Sequence, residues 1–337
     1  MNTRHVGVLA AIVVGLVILL FALQTDDTGT AGSGERLLPG LETAANGLTR
    51  IRIDGPGGDD VTLRRGDGGW VIEERGGYPA DIDTLRSIVL ALAEARIVEQ
   101  KTADPANYGR LGVGDPAEGG DGDKVMLESE GASFAVILGD PARDDFRYAR
   151  VAGDARSVLI DRNPVLPDDV AGWLDDDLLD IDAGRVRRVT IRHDDGETIV
   201  IEKEDETQDA FTVLDVPEGR ELQYASVADP VAGVLTDLKL EDVRRAPVEP
   251  GEADTTAVFE TFDGTTVTVT VDDWVGSGDD AGELSWVRFS AAPDIDGLNE
   301  RTAGWEYRLP AYKRTQLVRR WEDLLKAGTA DEPLSTP

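Results

Sequence analysis

Apolar and polar positions alternate along short segments of this chain, and glycine and aspartate separate the segments. Ile51 and Ile53 begin the pattern, which continues at Leu63 and Ile72. Side chains two residues apart lie on the same face of a strand. The pattern therefore predicts short strands joined by tight turns, as in an antiparallel meander.

The spacing of apolar residues changes after this meander. Leu85, Ile88 and Leu92 follow one another at intervals of three and four residues. That spacing predicts an amphipathic helix that covers one face of the sheet. Asp81 or Asp83 is the predicted N-cap, because a carboxylate can accept hydrogen bonds from the first free N–H groups of a helix.

The order of these segments returns later in the chain. Residues 78–92 match residues 224–238, with tyrosine first and the helical apolar positions aligned. Further matches pair Ile51 and Ile53 with Val189 and Ile191, Phe134, Val136 and Leu138 with Val267, Val269 and Val271, Arg150 with Arg288, and Trp173 with Trp321. A period of about 140 residues is the size of a domain rather than of a solenoid repeat.

We therefore predict an α+β protein with two tandem related units, each a mainly antiparallel sheet with covering helices. The first α+β unit is expected at residues 41–181 and the second at residues 182–327. The segment 25–40 is rich in Gly, Thr, Ser and Asp and is expected to be a flexible linker. Residues 328–337 are expected to form a disordered tail.

One apolar run is continuous rather than alternating, and it starts at Val6 and ends at Leu23. Its eighteen residues carry no charge, and thirteen of them are Leu, Ile, Val or Phe. A helix of that length spans about 27 Å, close to the hydrocarbon thickness of a bilayer. Residues 1–24 are therefore predicted to form a cytoplasmic stub and a single transmembrane anchor.

Charges beside this run predict its orientation. Arg4 precedes it, whereas Asp26 and Asp27 follow it, and positive flanks favour the cytoplasmic side. We expect the N-terminus inside and the bulk of the chain outside the cytoplasm. The alternative is a signal peptide cleaved near the small residues 31–33 (AGS), which lie well beyond the apolar run.

Net charge limits the classes of partner. The chain has 66 acidic and 34 basic side chains, with a net charge of -32. Nucleic acid would repel such a chain, so nucleic-acid binding is excluded. The acidic clusters lack the alternating ligands and the closing glutamate of a calcium-binding loop. The charge is expected to serve solubility.

Residues suited to catalysis are few. The chain has no cysteine, and His5 and His193 are its two histidines, which leaves too few nitrogen and sulfur ligands for a zinc site. His193, with Asp194, Asp195 and Gly196, is expected at the tip of a hairpin rather than as a general base. No lysine follows a glycine, so a phosphate-binding P-loop is absent. We predict no enzymatic activity, no cofactor and no metal site.

Two groups of residues are candidates for binding. Against the acidic background, basic residues cluster on a predicted C-terminal helix and could dock an acidic partner surface. The simpler interpretation, which we favour, is that they compensate the helix dipole and pair with local acids. Trp274 and Tyr108 are the aromatic residues expected to face a ligand. The basic cluster consists of Lys313, Arg314, Arg319 and Arg320.

Several short motifs resemble an uncharacterised bacterial family. They are residues 37–41 (LLPGL), 48–53 (LTRIRI), 69–71 (GWV), 78–81 (YPAD) and 107–112 (NYGRLG). With the N-terminal span, they resemble a domain-of-unknown-function (DUF) family of membrane-anchored proteins related to auxiliary components of gliding-motility-type ABC transport systems.

The resemblance implies a non-enzymatic accessory or scaffold subunit at the bacterial cytoplasmic (inner) membrane, beside an ABC permease whose ATPase subunit is a separate chain. The single span and the missing nucleotide site agree with that role. The alternative is a cell-envelope binding protein for glycan, lipid or peptide, which a pocket lined by Trp274 or Tyr108 would favour. A hydrolase with two facing carboxylates is a third, weaker alternative.

Overall fold

The computed structural model describes residues 34–58, 60–143, 145–208, 210–248, 253–272 and 286–326. In the first half of these residues the strands are β1 Leu48–Asp54, β2 Val61–Gly66, β3 Gly69–Ile72, β4 Tyr78–Pro79, β5 Ile97–Gln100, β6 Asp123–Ser129, β7 Ala132–Pro141, β8 Arg147–Val151 and β9 Ser157–Ile160. In the second half they are β10 Asp177–Leu179, β11 Val186–His193, β12 Thr198–Glu202, β13 Thr212–Val213, β14 Leu238–Lys239, β15 Asp242–Arg245, β16 Thr255–Thr261, β17 Thr266–Asp272, β18 Trp286–Ala292 and β19 Trp305–Arg308.

Helices are short, with one exception. The α-helices are α1 Leu41–Ala44, α2 Ile82–Glu94, α3 Asp229–Ala232, α4 Leu298–Thr302, α5 Ala311–Leu317 and α6 Trp321–Leu324. Turns of 3-10 helix lie at Ala45–Gly47, Glu73–Arg75, Pro105–Arg110, Pro116–Glu118, Ala171–Trp173, Ala183–Arg185 and Gly233–Leu235. The predicted α+β class with mainly antiparallel sheets is confirmed.

The chain divides into two compact units that are interleaved in sequence. The first consists of the described residues up to Asp60 together with Arg86–Leu166. The second consists of Val61–Leu85 and the described residues from Pro167 onward. The second unit thus includes a segment from the region predicted for the first tandem unit.

The first unit contains six antiparallel strands in the spatial order β1-β6-β7-β8-β9-β5. In β1, Ile51 and Ile53 are buried and Arg52 is exposed, as the alternating pattern predicts. Leu127 and Val136 on the neighbouring strands are fully buried. These residues lie on one face of the sheet, and Ile137 of β7, on the opposite face, is fully buried as well.

The second unit contains an eight-stranded antiparallel sheet in the order β13-β12-β11-β16-β17-β18-β19-β15. Strands β2, β3 and β4 pair in an antiparallel ribbon, and β10 pairs with β14. Phe259, Val269 and Tyr307 are almost fully buried and form part of the core.

Six strands of the second sheet repeat the order seen in the first unit. The order β1-β6-β7-β8-β9-β5 corresponds strand for strand to β11-β16-β17-β18-β19-β15. The registers correspond as well, because Arg150 lies opposite Ile137 and Arg288 lies opposite Thr270. The pairing of β1 with β6 and that of β11 with β16 also share a register irregularity, which lies near the beginning of β1 and of β11.

Helix α2 agrees with its prediction, whereas its predicted counterpart is much shorter. The Asp81 carboxylate accepts hydrogen bonds from the N–H groups of Asp83 and Thr84, so Asp81 is the N-cap. The counterpart consists of α3 and one 3-10 turn. Gly233 lies in this segment, and Asp237 follows it with a φ of 44°, in the left-handed region. Glycine and aspartate both weaken a helix.

No helix within the described residues is long and apolar enough to cross a membrane. The predicted anchor at residues 6–23, the linker up to residue 33 and the tail at residues 328–337 lie outside the described residues.

Candidate functional site

His193 is held within the fold at the end of β11. The side chain is buried, Nδ1 lies 2.9 Å from the Thr255 hydroxyl and Nε2 lies 2.9 Å from the Arg319 carbonyl oxygen. The following residues turn the chain into β12, with Gly196 at a φ of 91°. Both ring nitrogens thus contact groups of the protein itself, as expected of a structural histidine.

Lys313 of the predicted basic cluster is buried. Its ammonium group donates hydrogen bonds to the carbonyl oxygens of Gly233 and Thr236, at 2.9 and 2.6 Å. Burial lowers the pKa of this ammonium group, although Asp237 and Asp180 act in the opposite direction. Lys313 therefore binds the carbonyl end of the 3-10 turn that follows α3.

Of the other basic residues, Arg314 lies on α5, whereas Arg319 and Arg320 lie in the segment that joins α5 to α6. Arg319 donates hydrogen bonds to the Gln316 side chain and to the Asp323 carbonyl oxygen. The Arg320 guanidinium contacts Asp195 at 2.7 Å and Glu197 at 2.8 Å. Arg314 is half-buried on α5. Pairing with local acids thus accounts for the position of Arg320, while a docking role for the cluster stays a prediction.

Of the two aromatic candidates, Trp274 lies outside the described residues. Tyr108 lines an open pocket of about 750 Å³ in the first unit, which we call the Tyr108 pocket. Its polar lining residues are Tyr108, Asp115, Glu118, Asp121, Arg150 and Asp154. The volume falls within the range of about 300–1,000 Å³ that is typical of small-molecule sites.

Tyr108 and Arg150 hold each other in place at this pocket. The Tyr108 hydroxyl donates a hydrogen bond to the Ala155 carbonyl oxygen at 2.6 Å. The Arg150 guanidinium lies 4.5 Å from the ring centroid of Tyr108, within the range of a cation–π contact. Its Nε and Nη1 atoms donate to the carbonyl oxygens of Val113 and Asp154, both at 3.0 Å. Arg150 is only 7% exposed, so these contacts fix its position.

A glycine-rich loop forms another wall of the pocket. Asp115 caps the short turn Pro116–Glu118 by accepting a hydrogen bond from the Ala117 N–H. Gly114 and Gly120 pass so close that a Cβ on Gly120 would lie 2.3 Å from the Gly114 carbonyl carbon. Larger residues cannot occupy these positions without moving the backbone. The wall is therefore mostly main chain.

Carboxylates surround the pocket on several sides. Burial opposes ionisation of Asp115, but hydrogen bonds from Lys124 and from the Ala117 N–H outweigh it and lower its pKa. Glu118 and Asp121 are exposed, and neither carboxylate has an ion-pair or hydrogen-bond partner among the described residues. No cluster of three or more His, Cys, Asp or Glu residues suited to a metal ion occurs in the described part of the chain.

The position equivalent to Arg150 in the second unit has different surroundings. Arg288 contacts Asp272 at 3.1 Å and Glu306 at 3.4 Å. Glu306 is 1% exposed and also pairs with Arg244 at 2.8 Å. The Arg244 guanidinium in turn lies 4.2 Å from the ring centroid of Trp286. Carboxylates neutralise the arginines here.

Sequence reasoning singled out Tyr108 but missed the other residues of its pocket. Arg150 was recognised only as a position shared with Arg288, and Asp115, Glu118 and Asp121 belong to an acidic background that hides them. The concentration of glycine over residues 109–122 was the available signal, because close backbone approaches require that residue.

Comparison with known proteins gives a family without a described activity. Residues 70–258 match the family described as a domain of unknown function, DUF4340. No curated protein and no solved structure shows significant similarity to the chain. The match covers more than half of the 337 residues and confirms the predicted relationship to an uncharacterised DUF family. The chain belongs to the DUF4340 family.

Proposed function

We propose that the protein is a non-enzymatic accessory or scaffold subunit that is tethered to the inner membrane of a bacterium, with its body outside the cytoplasm. In this proposal it acts beside an ABC-type permease and its separate ATPase subunit. The apolar run at residues 6–23 supplies the tether.

The main support for this proposal is that the polar side chains best suited to catalysis or docking bind groups of the protein itself. Both nitrogens of His193 contact protein groups, Lys313 binds two backbone carbonyls, and Arg320 is paired with two carboxylates. Groups bound in this way stabilise a structure and are poorly placed for proton transfer to a substrate. The arrangement supports a structural role.

We also propose that the chain arose by duplication of one α+β unit. The matching strand order of the two sheets and the equivalent registers of Arg150 and Arg288 support this proposal. Chance would not easily reproduce six strands in the same order. In this interpretation two related sheets enlarge the surface that a scaffold presents to its partners.

Crosslinking in intact cells tests the accessory role. The full-length tagged protein is crosslinked, extracted in mild detergent and recovered, and a multi-span permease and an ATPase subunit are expected with it. Repeated recovery of the protein alone would contradict the proposal. A second version carries a cleavable signal peptide in place of residues 1–24. If that released protein restored a deletion strain fully, the tether would have no part in the function.

A second candidate function is binding of a cell-envelope ligand such as a glycan, a lipid or a peptide. The Tyr108 pocket favours it, because an open site of about 750 Å³ combines an aromatic ring, a fixed guanidinium and several carboxylates. A pocket with a few convergent polar groups is the usual form of a small-ligand site. This function is compatible with a tethered protein and does not require a catalytic residue.

A further inference from the structure

The geometry points to the Tyr108 pocket as a binding site for a neutral oligosaccharide segment, an inference that rests on the second candidate function. The pocket belongs entirely to the first unit. Its lining offers hydrogen-bond acceptors, a hydrogen-bond donor and an aromatic surface within one open depression.

The signs of the charges favour a neutral ligand. An anionic ligand would meet Asp115, Glu118, Asp121 and Asp154 around the pocket. A cationic ligand would meet the guanidinium of Arg150, which is held by uncharged carbonyl oxygens and offsets part of the attraction of the carboxylates. A neutral ligand is repelled by neither kind of charge.

Sugar hydroxyl groups suit this mixture of acceptors and donors. A hydroxyl donates to a carboxylate and accepts from a guanidinium at the same time. Glu118 and Asp121 provide carboxylates without partners among the described residues. Hydrogen bonds to charged groups are about twice as strong as neutral ones, so the two acids are expected to contribute most to binding.

The remaining walls suit the faces of a sugar ring. Tyr108 lines the pocket while its hydroxyl is fixed by the Ala155 carbonyl oxygen, so ordering the ring adds little entropic cost on binding. Aromatic rings pack well against the C–H groups of sugars. Gly119 and Gly120 line the pocket with main chain, because glycine has no side chain.

The test measures binding of maltotriose, cellotriose and chitotriose to the full-length protein. The micelles are formed from an amine-oxide detergent, because a glucoside or maltoside detergent would itself offer sugar to the pocket. Isothermal titration is expected to give a Kd of about 1 mM or tighter for at least one of the trisaccharides. Raising NaCl from 50 to 500 mM should leave that Kd unchanged within a factor of about two, since salt screens only charged ligands.

Substitution at exposed positions locates the site. The double variant E118Q/D121N is expected to bind at least fivefold more weakly, and its fold should be intact because both side chains are exposed. The matched control D67N/E130Q removes the same charges from two exposed turns outside the pocket and should bind like the unaltered protein.

Three outcomes would overturn the inference. Failure of all three trisaccharides to bind would exclude a neutral oligosaccharide, and equal binding by E118Q/D121N would place any sugar site elsewhere. Salt-sensitive binding of trilysine that is lost in E118Q/D121N would make the pocket a site for a basic peptide. None of these results bears on the crosslinking experiment, so the accessory role stands or fails separately.

Discussion

Arg150 and Arg288 occupy equivalent positions in two sheets of the same strand order, yet they interact with different groups. Arg150 contacts two carbonyl oxygens and an aromatic ring, while Arg288 contacts the carboxylates of Asp272 and Glu306. Neutral acceptors leave the charge of Arg150 available beside an open pocket. Carboxylates neutralise the charge of Arg288. The strand order therefore fixes where an arginine lies, and its neighbours decide whether its charge can act on a ligand.

The tyrosines that begin the matched segments differ even more. Tyr78 is 6% exposed and packs edge-to-face on Trp305 at 5.1 Å, while Tyr224 is 56% exposed. Burial raises the pKa of Tyr78 above its usual range and that of Tyr307, its ring neighbour, to about 12. The two matched tyrosines thus have unequal structural roles.

Replacement of these two tyrosines is expected to give the largest difference in the free energy of unfolding. Tyr78→Ala should lower the free energy of unfolding by about 3–5 kcal/mol, because it removes a buried ring and leaves a cavity. Tyr224→Ala is the matched control and should change it by no more than about 0.5 kcal/mol. Urea unfolding of the full-length protein, followed by tryptophan fluorescence, measures both. Equal losses would mean that the second tyrosine is as important to packing as the first.

Replacement of the two arginines is expected to give the second largest difference in the free energy of unfolding. Arg288→Met should lower the free energy of unfolding by about 2–4 kcal/mol, because it leaves the buried Glu306 with Arg244 alone and removes the ion pair between Arg288 and Asp272. Arg150→Met should cost about 1–3 kcal/mol through two unpaired carbonyl oxygens.

Salt separates the two arginine variants. The loss in Arg288→Met should shrink between 50 and 500 mM NaCl, because salt already weakens the native ion pairs. The loss in Arg150→Met should change less, since its direct partners are neutral. Unfolding in urea at both salt concentrations gives the answer, and a reversed order of salt sensitivity would be incompatible with charged partners for Arg288 and neutral partners for Arg150.

Acid titration gives the smallest expected difference, and its sign distinguishes the two sites. Burial raises the pKa of Asp272 even though Arg288 opposes it, so the contribution of Asp272 to stability is lost as pH rises from about 3.9 through its folded pKa. The pKa of Asp115 is lowered, so its contribution is present above about 3.9 and is lost as pH falls through its folded pKa.

Two asparagine variants measure these contributions. Relative to the unaltered protein, Asp272→Asn should become more stable as pH rises above about 4, whereas Asp115→Asn should become less stable as pH rises toward 4. Urea unfolding between pH 3 and pH 7 provides the comparison. Parallel pH profiles of the two variants would show that their surroundings are more alike than the contacts indicate.

Local patterns in the sequence were sufficient for much of the fold. Alternation placed Ile51 and Ile53 on the buried face of β1, and helical spacing placed Leu85, Ile88 and Leu92 on the buried face of α2. These features depend on the period of a single element. The matched strands of the second sheet followed from the same patterns.

Contacts between distant segments could not be predicted in this way. The bridge between Ala80 and Leu174 has its counterpart in the bridge between Leu222 and Leu325, so Ala80 occupies the position of Leu222. The match of Tyr78 with Tyr224 instead places Ala80 opposite Ser226. That alignment followed the shared tyrosine and did not allow for a small difference in length between the two segments. The pocket of Tyr108 was hidden for a similar reason, since Arg150 lies 42 positions further along the sequence.

The strand order also has a consequence for the way the chain folds. Strand β5 is at one end of its sheet, and its Ile97 pairs with Ile160 on β9. In the same manner β15 pairs with β19, where Asp242 lies opposite Arg308. In both pairs, more than sixty positions of the sequence separate the two partners. Such distant pairing slows folding and leaves strand edges open to aggregation in the meantime. Correct folding therefore requires that each of these strands pairs with its partner in the same molecule before it pairs with a strand of another molecule.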